Sequence, residues 1–272
     1  MNIHSYHLQH ENKIHHIENA VSKNAFDARS LPSLLNYDSY ALNDLNNAQL
    51  MNRVDTKYLI PIHLMNSVLE KMSRHYQVLE INGKRVFTYQ NTYFDTPEYD
   101  LYYDHHNGKL NRYKVRQRHY IDNNAVFLEV KFKNNKNRTI KSRIESGNHT
   151  FGHEREFLSS ISSKLGSLKA SQWGEYKRIS LANERNGERL TLDFDLTFES
   201  LQEENSINLS KFFIAELKQN KHNFQSPFSR EMSKLGIRPT KFSKYCIGCC
   251  LTSSNLKNNR FKPVLSKIKK FN

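Results

Sequence analysis

The sequence predicts an α+β protein built on an eight-stranded antiparallel β-barrel with flanking helices. Two observations support this fold class. Short segments in which basic and apolar residues alternate recur along residues 53–218, and every second side chain of a strand points to the same face. Segments with apolar residues at helical spacing lie between or after these strands. Each strand would therefore have one charged face and one apolar face.

The elements are assigned in chain order from alternation, from helical spacing and from turn signals such as Asp95-Thr96-Pro97 and Asn186-Gly187. Pro61 suits the first turn of the first helix. The predicted strands are residues 53–60, 86–94, 112–120, 125–132, 138–144, 176–182, 188–198 and 212–218. The predicted helices are residues 61–72, 97–104, 152–165 and 227–235. We divide the chain into a variable polar N-terminal extension (1–45), a tunnel domain (46–250) and a mobile basic C-terminal tail (251–272).

The charged faces favour closure of the strands around a polar interior. An unpaired buried cation costs several kcal/mol, so a basic face needs either bulk water or a wet interior with matching charge. Sparse acidic residues share the basic faces: Asp55, Glu129, Asp193, Asp195 and Glu216. The opposite faces carry Val115, Val130, Phe132, Ile140, Leu190, Leu192, Phe194 and Leu217. This mixture favours a barrel with a polar lumen, although any single strand is equally well explained as a solvated surface.

Composition restricts the partners and the compartment. The 272-residue chain has a formal net charge of +14, which indicates nucleic acid, anionic lipid or a phosphate-rich substrate. Cys246, Cys249 and Cys250 form an odd, closely spaced set, so we expect small buried thiols in a reducing compartment rather than disulfides or zinc. No segment has the roughly 20 apolar residues that span a bilayer. We expect a cytoplasmic protein.

Nine segments in order resemble the polyphosphate polymerase domain family, also called the vacuolar transporter chaperone (VTC) domain, of the triphosphate tunnel metalloenzyme superfamily. The resemblance covers about residues 50–250. The segments are Arg53-x-Asp55-Thr56-Lys57-Tyr58, Thr92-Tyr93-Phe94-Asp95-Thr96, Lys114-x-Arg116-x-Arg118, Leu128-Glu129-Val130-Lys131, Thr139-Ile140-Lys141-Ser142-Arg143, Arg178, Arg189-Leu190-Thr191-Leu192-Asp193, Ala215-Glu216-Leu217-Lys218 and Lys241-Phe242-Ser243-Lys244-Tyr245.

The resemblance implies an eight-stranded tunnel that binds ATP and a divalent ion, Mn²⁺ or Mg²⁺, and transfers the γ-phosphoryl group to inorganic polyphosphate. It implies that Glu216 binds the metal, and we expect Asp193 or Asp195 to help, directly or through water. It implies catalytic roles for Lys57, Arg116, Arg118, Lys131, Arg189 and Glu216. The phosphate-binding residues that it implies are Lys57, Arg116, Arg118, Lys131, Lys141, Arg178 and Arg189, with Lys241 and Lys244 near the tunnel mouth.

One departure separates the branches of this superfamily. The hydrolase and cyclase-like branch begins with Glu-x-Glu-x-Lys, whereas this chain has Arg53 in place of the first Glu. Exchanging an anion for a cation favours phosphate capture over metal capture, and so favours polymerase activity. Three alternatives remain: a tunnel triphosphatase or polyphosphatase, a non-catalytic polyphosphate-binding protein, and a nucleic-acid-binding protein. The last lacks any recognised nucleic-acid-binding motif, so we expect no specific nucleic acid. A membrane partner for polyphosphate export is a further possibility.

Overall fold

A computed structural model describes residues 31–45, 54–136, 138–146, 151–203, 205–221, 223 and 225–271. Arg53 lies outside these residues, as do most of the N-terminal extension and its histidines His4, His7, His10, His15 and His16. The strands are β1 (Ser39–Tyr40), β2 (Val54–Pro61), β3 (Gln77–Leu79), β4 (Phe87–Asp95), β5 (Arg112–Tyr120), β6 (Ala125–Lys133), β7 (Thr139–Glu145), β8 (Lys169–Asn183), β9 (Glu188–Ser200), β10 (Ser206–Leu209) and β11 (Phe212–Gln219). The α-helices are α1 (Met65–Met72), α2 (Asp100–His106), α3 (Phe151–Ile161), α4 (Pro227–Lys234), α5 (Lys244–Thr252) and α6 (Lys262–Lys269).

These strands form one sheet. Eight of them are joined by antiparallel pairs in the order β2-β11-β9-β8-β4-β5-β6-β7, while β10 pairs with β9 and β3 links β1 to β8. Within the described residues the outer strands β2 and β7 do not pair. The sheet is therefore open and does not form the predicted closed barrel. Alternation in sequence specifies the two faces of each strand, but it does not specify whether the two outermost strands meet.

The open sheet is nevertheless strongly curved. Glu216 on β11 influences the pKa of Lys131 on β6, although the strands β9, β8, β4 and β5 lie between them in the sheet. Lys57 on β2 likewise lowers the pKa of Lys114 on β5. Such interactions weaken over about 10 Å in salt, so these side chains must face one another across a concave surface. We call this concave face of the eight-strand path the channel.

Apolar residues of the same strands cover the convex face. Beneath α1 and α4 the cluster includes Leu190, Leu192, Phe194 and Leu217, and beneath α3 it includes Val115 and Val130. The predicted apolar faces are therefore confirmed for these residues. Ile140 is the exception: it lies on the outermost strand β7 and is 53% exposed. No helix among the described residues has the length and apolar character that crossing a membrane requires.

Helices α5 and α6 lie at one end of the channel. The Ser243 side chain caps α5 and also accepts a hydrogen bond from Lys114 on β5 at 3.0 Å. The Thr240 amide donates to the Lys57 carbonyl on β2 at 2.7 Å. Residues 240–244 therefore lie across this end and contact both β2 and β5. The following residues, predicted to be a mobile tail, include α6, whose Val264 and Ile268 are buried against the same apolar cluster.

Two local features differ from the sequence prediction. Pro61 ends β2, and the helix begins only at Met65. The first half of β8, residues 169–175, was not predicted because Gly174 is atypical of a strand interior. A Cβ at Gly174 would lie 2.9 Å from the Phe198 ring, so the missing side chain is what allows β8 and β9 to pack closely here.

Asp95 connects the sheet to helices α2 and α5. Its carboxylate accepts hydrogen bonds from the amides of Thr96, Leu101 and Tyr102, each at 2.8 Å, and from the Tyr245 hydroxyl. The side chain is fully buried. All four partners are donors, so the position requires two acceptor oxygens. Through these hydrogen bonds Asp95 fixes both the start of α2 and the orientation of α5.

We predict that Asp95→Asn lowers the free energy of unfolding by about 2–4 kcal/mol, because the amide group turns a donor toward other donors and leaves them unsatisfied. Urea unfolding followed by circular dichroism measures this change. Asp100→Asn, an exposed substitution in the first turn of α2, serves as the control and should stay within about 0.5 kcal/mol. Equal stability of both variants would contradict this role for Asp95.

Candidate functional site: a basic channel

The channel is lined mainly by cations that alternation places on one face of each strand. Carboxylates are fewer on this surface, and aromatic rings contribute mainly from β4 and β8. The cations are Lys57, Lys114, Arg116, Arg118, Lys131, Lys133, Lys141, Arg143, Arg178, Arg189 and Lys218, with Lys244 from α5. The carboxylates are Asp55, Glu129, Asp193 and Glu216.

Glu129 joins the β5 and β7 sides of the channel. Arg116 donates to its carboxylate from Nε at 2.8 Å and from Nη2 at 2.5 Å, and Lys141 Nζ lies 2.5 Å from the other oxygen. Burial alone would raise the pKa of Glu129, but Arg116, Arg118 and Lys141 outweigh it and hold the pKa well below its usual range. This carboxylate, 0% exposed, is therefore charged and holds two phosphate-binding candidates in place.

Asp193 and Glu216 repeat this arrangement of one carboxylate between two cations. Arg178 donates two hydrogen bonds to Asp193, and Lys244 forms an ion pair with it. Glu216 lies 2.7 Å from Lys57 and 3.0 Å from Lys218. Burial would raise both pKa values, yet the neighbouring cations lower them. Both carboxylates are therefore anionic at neutral pH.

Lys114 and Lys131 have no carboxylate partner within ion-pair distance in the part of the chain that the structure describes. Arg116, burial and Arg118 hold the pKa of Lys131 well below its usual value. Burial, together with Lys57, Arg112 and Arg116, lowers the pKa of Lys114 to about 8. Burial and neighbouring cations both disfavour the charged form of these lysines, and a bound anion would relieve both effects.

Tyr176 brings together cations from three elements. Its hydroxyl accepts a hydrogen bond from Arg118 at 2.8 Å, and Lys244 Nζ lies 4.2 Å from its ring centroid. The guanidinium of Arg178 lies 5.3 Å from the same centroid. Although burial would raise the pKa of the Tyr176 hydroxyl, these three cations lower it. Arg118 is further fixed by Asn91, which accepts its Nε hydrogen bond at 3.0 Å.

Most of the predicted site residues share the channel. Lys57, Arg116, Arg118, Lys131, Lys141, Arg178, Glu216 and Lys244 lie on this surface or, for Lys244, reach into it. Arg189 lies further along β9, opposite Lys218 and near Tyr40. Lys241 is exposed at the α5 end and influences the pKa of Lys133. The catalytic and binding roles of all these residues stay predictions.

Asp195 leaves the channel, contrary to the alternation on which its helping role depended. The register of β8 and β9 shifts between Glu175 and Lys177, and Asp195 has a left-handed φ of 53°. This bulge moves its carboxylate to Lys177, 2.9 Å away, on the other face of β8. A bulge of one residue exchanges the two faces of a strand, and alternation alone does not reveal it.

The carboxylates differ in their fitness to hold a divalent ion. The described residues contain no group of three or more His, Cys, Asp or Glu side chains that would form a complete site. Mg²⁺, however, is often bound by one or two carboxylates together with substrate phosphates. Cations engage both oxygens of Glu216 and both oxygens of Asp193. Glu216 fits this mode better because it is 16% exposed to the channel, whereas Asp193 is only 2% exposed.

The channel residues that were missing from the predicted site include Lys114, Lys218 and Tyr176. Each lies two positions from a predicted residue, namely Arg116, Glu216 and Arg178, and therefore on the same strand face. The alternation that identified the predicted residues also contained these three. Alternation carries no information on burial. In the structure, Lys218 is 9% exposed and Tyr176 only 1%.

One comparison with known proteins identifies a family. The family model of the VTC domain matches residues 52–253. The chain is similar in structure to a Bacillus halodurans protein proposed to be an adenylate cyclase, with 12% identity, 71% of this chain and 94% of that chain covered, and a TM-score of 0.48. It is also similar to a Hippeastrum protein, proposed to be an adenylyl cyclase, that has a dominant triphosphatase activity (13% identity, 76% and 99% covered, TM-score 0.44). No curated protein matches the sequence.

We predict that Lys114→Met raises the free energy of unfolding by about 1–2 kcal/mol near pH 7. The folded protein holds the pKa of Lys114 near 8, below its unfolded value of about 10.4. The unfolded state therefore binds the proton more tightly between these values, and the penalty is fully present below pH 8 and disappears as the pH rises through about 10.4.

Urea unfolding at several pH values between 7 and 10.5 measures this difference, with Lys164→Met, an exposed substitution, as the control. The gain of Lys114→Met over its control should shrink steadily toward the alkaline end. A variant that is less stable than wild type at pH 7 would contradict the repulsion described for this residue.

Proposed function

The chain belongs to the VTC domain family, and on this premise we propose that it is a metal-dependent polyphosphate polymerase that transfers the γ-phosphoryl group of ATP to inorganic polyphosphate. The observation that carries the proposal is the excess of cations in the channel, above all Lys114 and Lys131, which have no carboxylate within ion-pair distance in the described residues. A row of phosphates would supply the missing negative charge along the length of the strands.

Phosphoryl transfer depends chiefly on positioning and on neutralisation of charge, because the transferred group needs little covalent help from the protein. Arg116 and Arg118 project from one face of β5, and a guanidinium can hold two oxygen atoms at once. Lys131 and Lys141 continue the basic surface on β6 and β7, where they are direct neighbours. These residues would hold consecutive phosphates in line.

The opposite wall would hold the other end of the substrate. Arg178 and Lys244 are fixed by Asp193, and Lys57 and Lys218 by Glu216. Because each carboxylate serves two cations, the wall keeps a net positive charge while its side chains stay ordered. The acceptor polyphosphate is already an anionic nucleophile, so the proposed reaction requires no general base from the protein.

We place a divalent ion, Mg²⁺ or Mn²⁺, at Glu216 as part of this proposal. Such an ion would neutralise charge on the phosphate oxygens. Lys57 and Lys218 would then be released from Glu216 to bind phosphate themselves. We also propose that the two outer strands approach each other around a bound chain to complete the eight-stranded tunnel.

Incubation with ATP and Mn²⁺ tests the proposed direction of the reaction. A polymerase produces polyphosphate that is visible by staining on a gel, and it releases one ADP for each phosphate that it adds to the chain. A tunnel triphosphatase releases inorganic phosphate from triphosphate and forms no polymer. Binding of triphosphate and polyphosphate without turnover would support the alternative of a non-catalytic polyphosphate-binding protein. The absence of binding would overturn the proposal.

We predict that Arg116→Ala weakens triphosphate binding about tenfold to hundredfold, as expected for the loss of one or two charge-assisted hydrogen bonds. Isothermal titration calorimetry measures the dissociation constant, with Arg185→Ala, an exposed substitution in the β8–β9 turn, as the control. Since Arg116→Ala also leaves Glu129 with a single partner, the double variant Arg116→Ala/Glu129→Gln restores the net charge of the channel. It should bind triphosphate better than Arg116→Ala but more weakly than wild type. Unchanged affinity in both would remove Arg116 from the site.

We predict opposite effects of Glu216→Gln on binding and on turnover. Without the carboxylate, Lys57 and Lys218 lose their counter-charge, so metal-free triphosphate should bind several-fold more tightly at low salt. Metal-dependent turnover should fall at least about 100-fold. Titration of activity with Mn²⁺ compares this variant with Glu129→Gln, whose dependence on metal concentration should match wild type. A Glu216→Gln protein with a normal metal response would place the metal elsewhere.

A further inference from the structure

The C-terminal residues form a basic surface that the channel does not include. Residues 252–272 contain six basic residues and no acidic residue. We define the C-terminal basic surface as the exposed cations of this segment: Lys257, Arg260, Lys262, Lys269 and Lys270. None of them forms an ion pair with a carboxylate in the described part of the chain. Such a concentration of one charge sign repels itself and attracts a polyanion.

This surface adjoins the end of the channel. Lys267 on α6 donates a hydrogen bond to the Thr240 hydroxyl at 3.2 Å, and the Thr240 amide binds the Lys57 carbonyl of β2. The next residue, Lys241, is exposed and lowers the pKa of Lys133, the last residue of β6, as does Arg112. Positive charge therefore continues from Lys131 and Lys133 inside the channel, through Lys241, to α6.

The shape of α6 leaves only its polar side for a ligand. Val264 and Ile268 are buried in the apolar cluster at the channel end, and Phe271 stacks on Phe212 with ring centroids 5.3 Å apart. Beside them is a shallow cavity of about 450 Å³ that Pro263, Ser266, Lys267, Lys270 and Phe271 line mainly with apolar atoms. The donors available to a chain of phosphates are therefore the exposed cations of the C-terminal basic surface and not this cavity.

We propose that the C-terminal basic surface binds the part of a polyphosphate chain that extends beyond the channel. The inference rests on the proposed function, because it takes the channel ligand to be polyphosphate. Strands of nine residues span about 30 Å, so a long chain cannot be contained in the channel and its remainder must lie on the outside. The basic surface offers that remainder exposed cations beside the channel end, where Lys267 contacts Thr240 next to Lys241.

An anionic membrane is the main competing occupant of a basic helix. Helices that bind a bilayer insert an apolar face below the headgroups, but the apolar residues of α6 are already packed against the protein. Purely electrostatic attraction to lipid would also not explain why the cations continue into the channel. A linear polyanion satisfies both observations.

Binding of two ligands to the full chain tests the proposal, with inorganic triphosphate as the ligand that fits within the channel and long-chain polyphosphate as the one that does not. The variant is K262Q/K269Q/K270Q. The control is R74Q/K164Q/K234Q, which removes the same charge from exposed positions just after α1, just after α3 and on α4. Calorimetry at two or more salt concentrations gives the dissociation constants and their salt dependence.

We expect K262Q/K269Q/K270Q to weaken long-chain polyphosphate binding about tenfold at low salt and to reduce the slope of log K against log salt, since fewer counterions are displaced. Triphosphate binding should be unchanged, and the control should bind both ligands like wild type. Equal losses in variant and control would show a nonspecific charge effect and overturn the proposal. So would a variant that loses binding only to phosphatidylserine vesicles while it retains wild-type affinity for polyphosphate.

The two proposals fail in distinguishable ways. If wild type binds neither triphosphate nor polyphosphate, the proposed function fails and this inference fails with it. If wild type binds both, and Arg116→Ala weakens both while K262Q/K269Q/K270Q weakens neither, the channel assignment stands and only the C-terminal basic surface is excluded.

Discussion

The structure depends on one electrostatic arrangement: an interior carboxylate that holds two cations. Glu129, Asp193 and Glu216 each do this, and their partners come from β5 and β7, from β8 and α5, and from β2 and β11. A buried ion pair seldom adds net stability because desolvation offsets the attraction. Here each carboxylate instead orders the site. It keeps two long, flexible side chains extended into the channel while leaving half of their charge uncompensated.

The helices at one end complete this arrangement from outside the sheet. Lys244 of α5 reaches Asp193, and Ser243 receives Lys114, so the channel is finished only when α5 is docked. Asp95 holds α5 through Tyr245 and holds α2 through backbone amides. A buried structural carboxylate thus connects the fold to the site: loss of its hydrogen bonds would misplace Lys244 without touching any substrate.

Alternation in the sequence was sufficient for the strands that carry most of the channel. On β5 and β6 it assigned Arg116, Arg118 and Lys131 to one face and Val115 and Val130 to the other, as the structure has them. It failed where the period breaks: the β8–β9 bulge moved Asp195 out of the channel, and Gly174 concealed the first half of β8. It also gave no information on closure or on which cations each carboxylate holds, because both depend on contacts between strands far apart in the chain.

Lys114 and Lys131 lack a carboxylate within ion-pair distance among the described residues, so stability and the proposed binding of an anion would oppose each other in this channel. Depressing the pKa of Lys114 to about 8 costs folding free energy at neutral pH, since the charged form is better solvated in the unfolded chain. An anion that neutralises the site recovers that energy on binding, so part of its affinity is relief of repulsion rather than new contact. Such affinity depends on the density of negative charge along the ligand and not on contacts with a base or a sugar. That property suits the chain of repeating phosphates that we propose as the ligand.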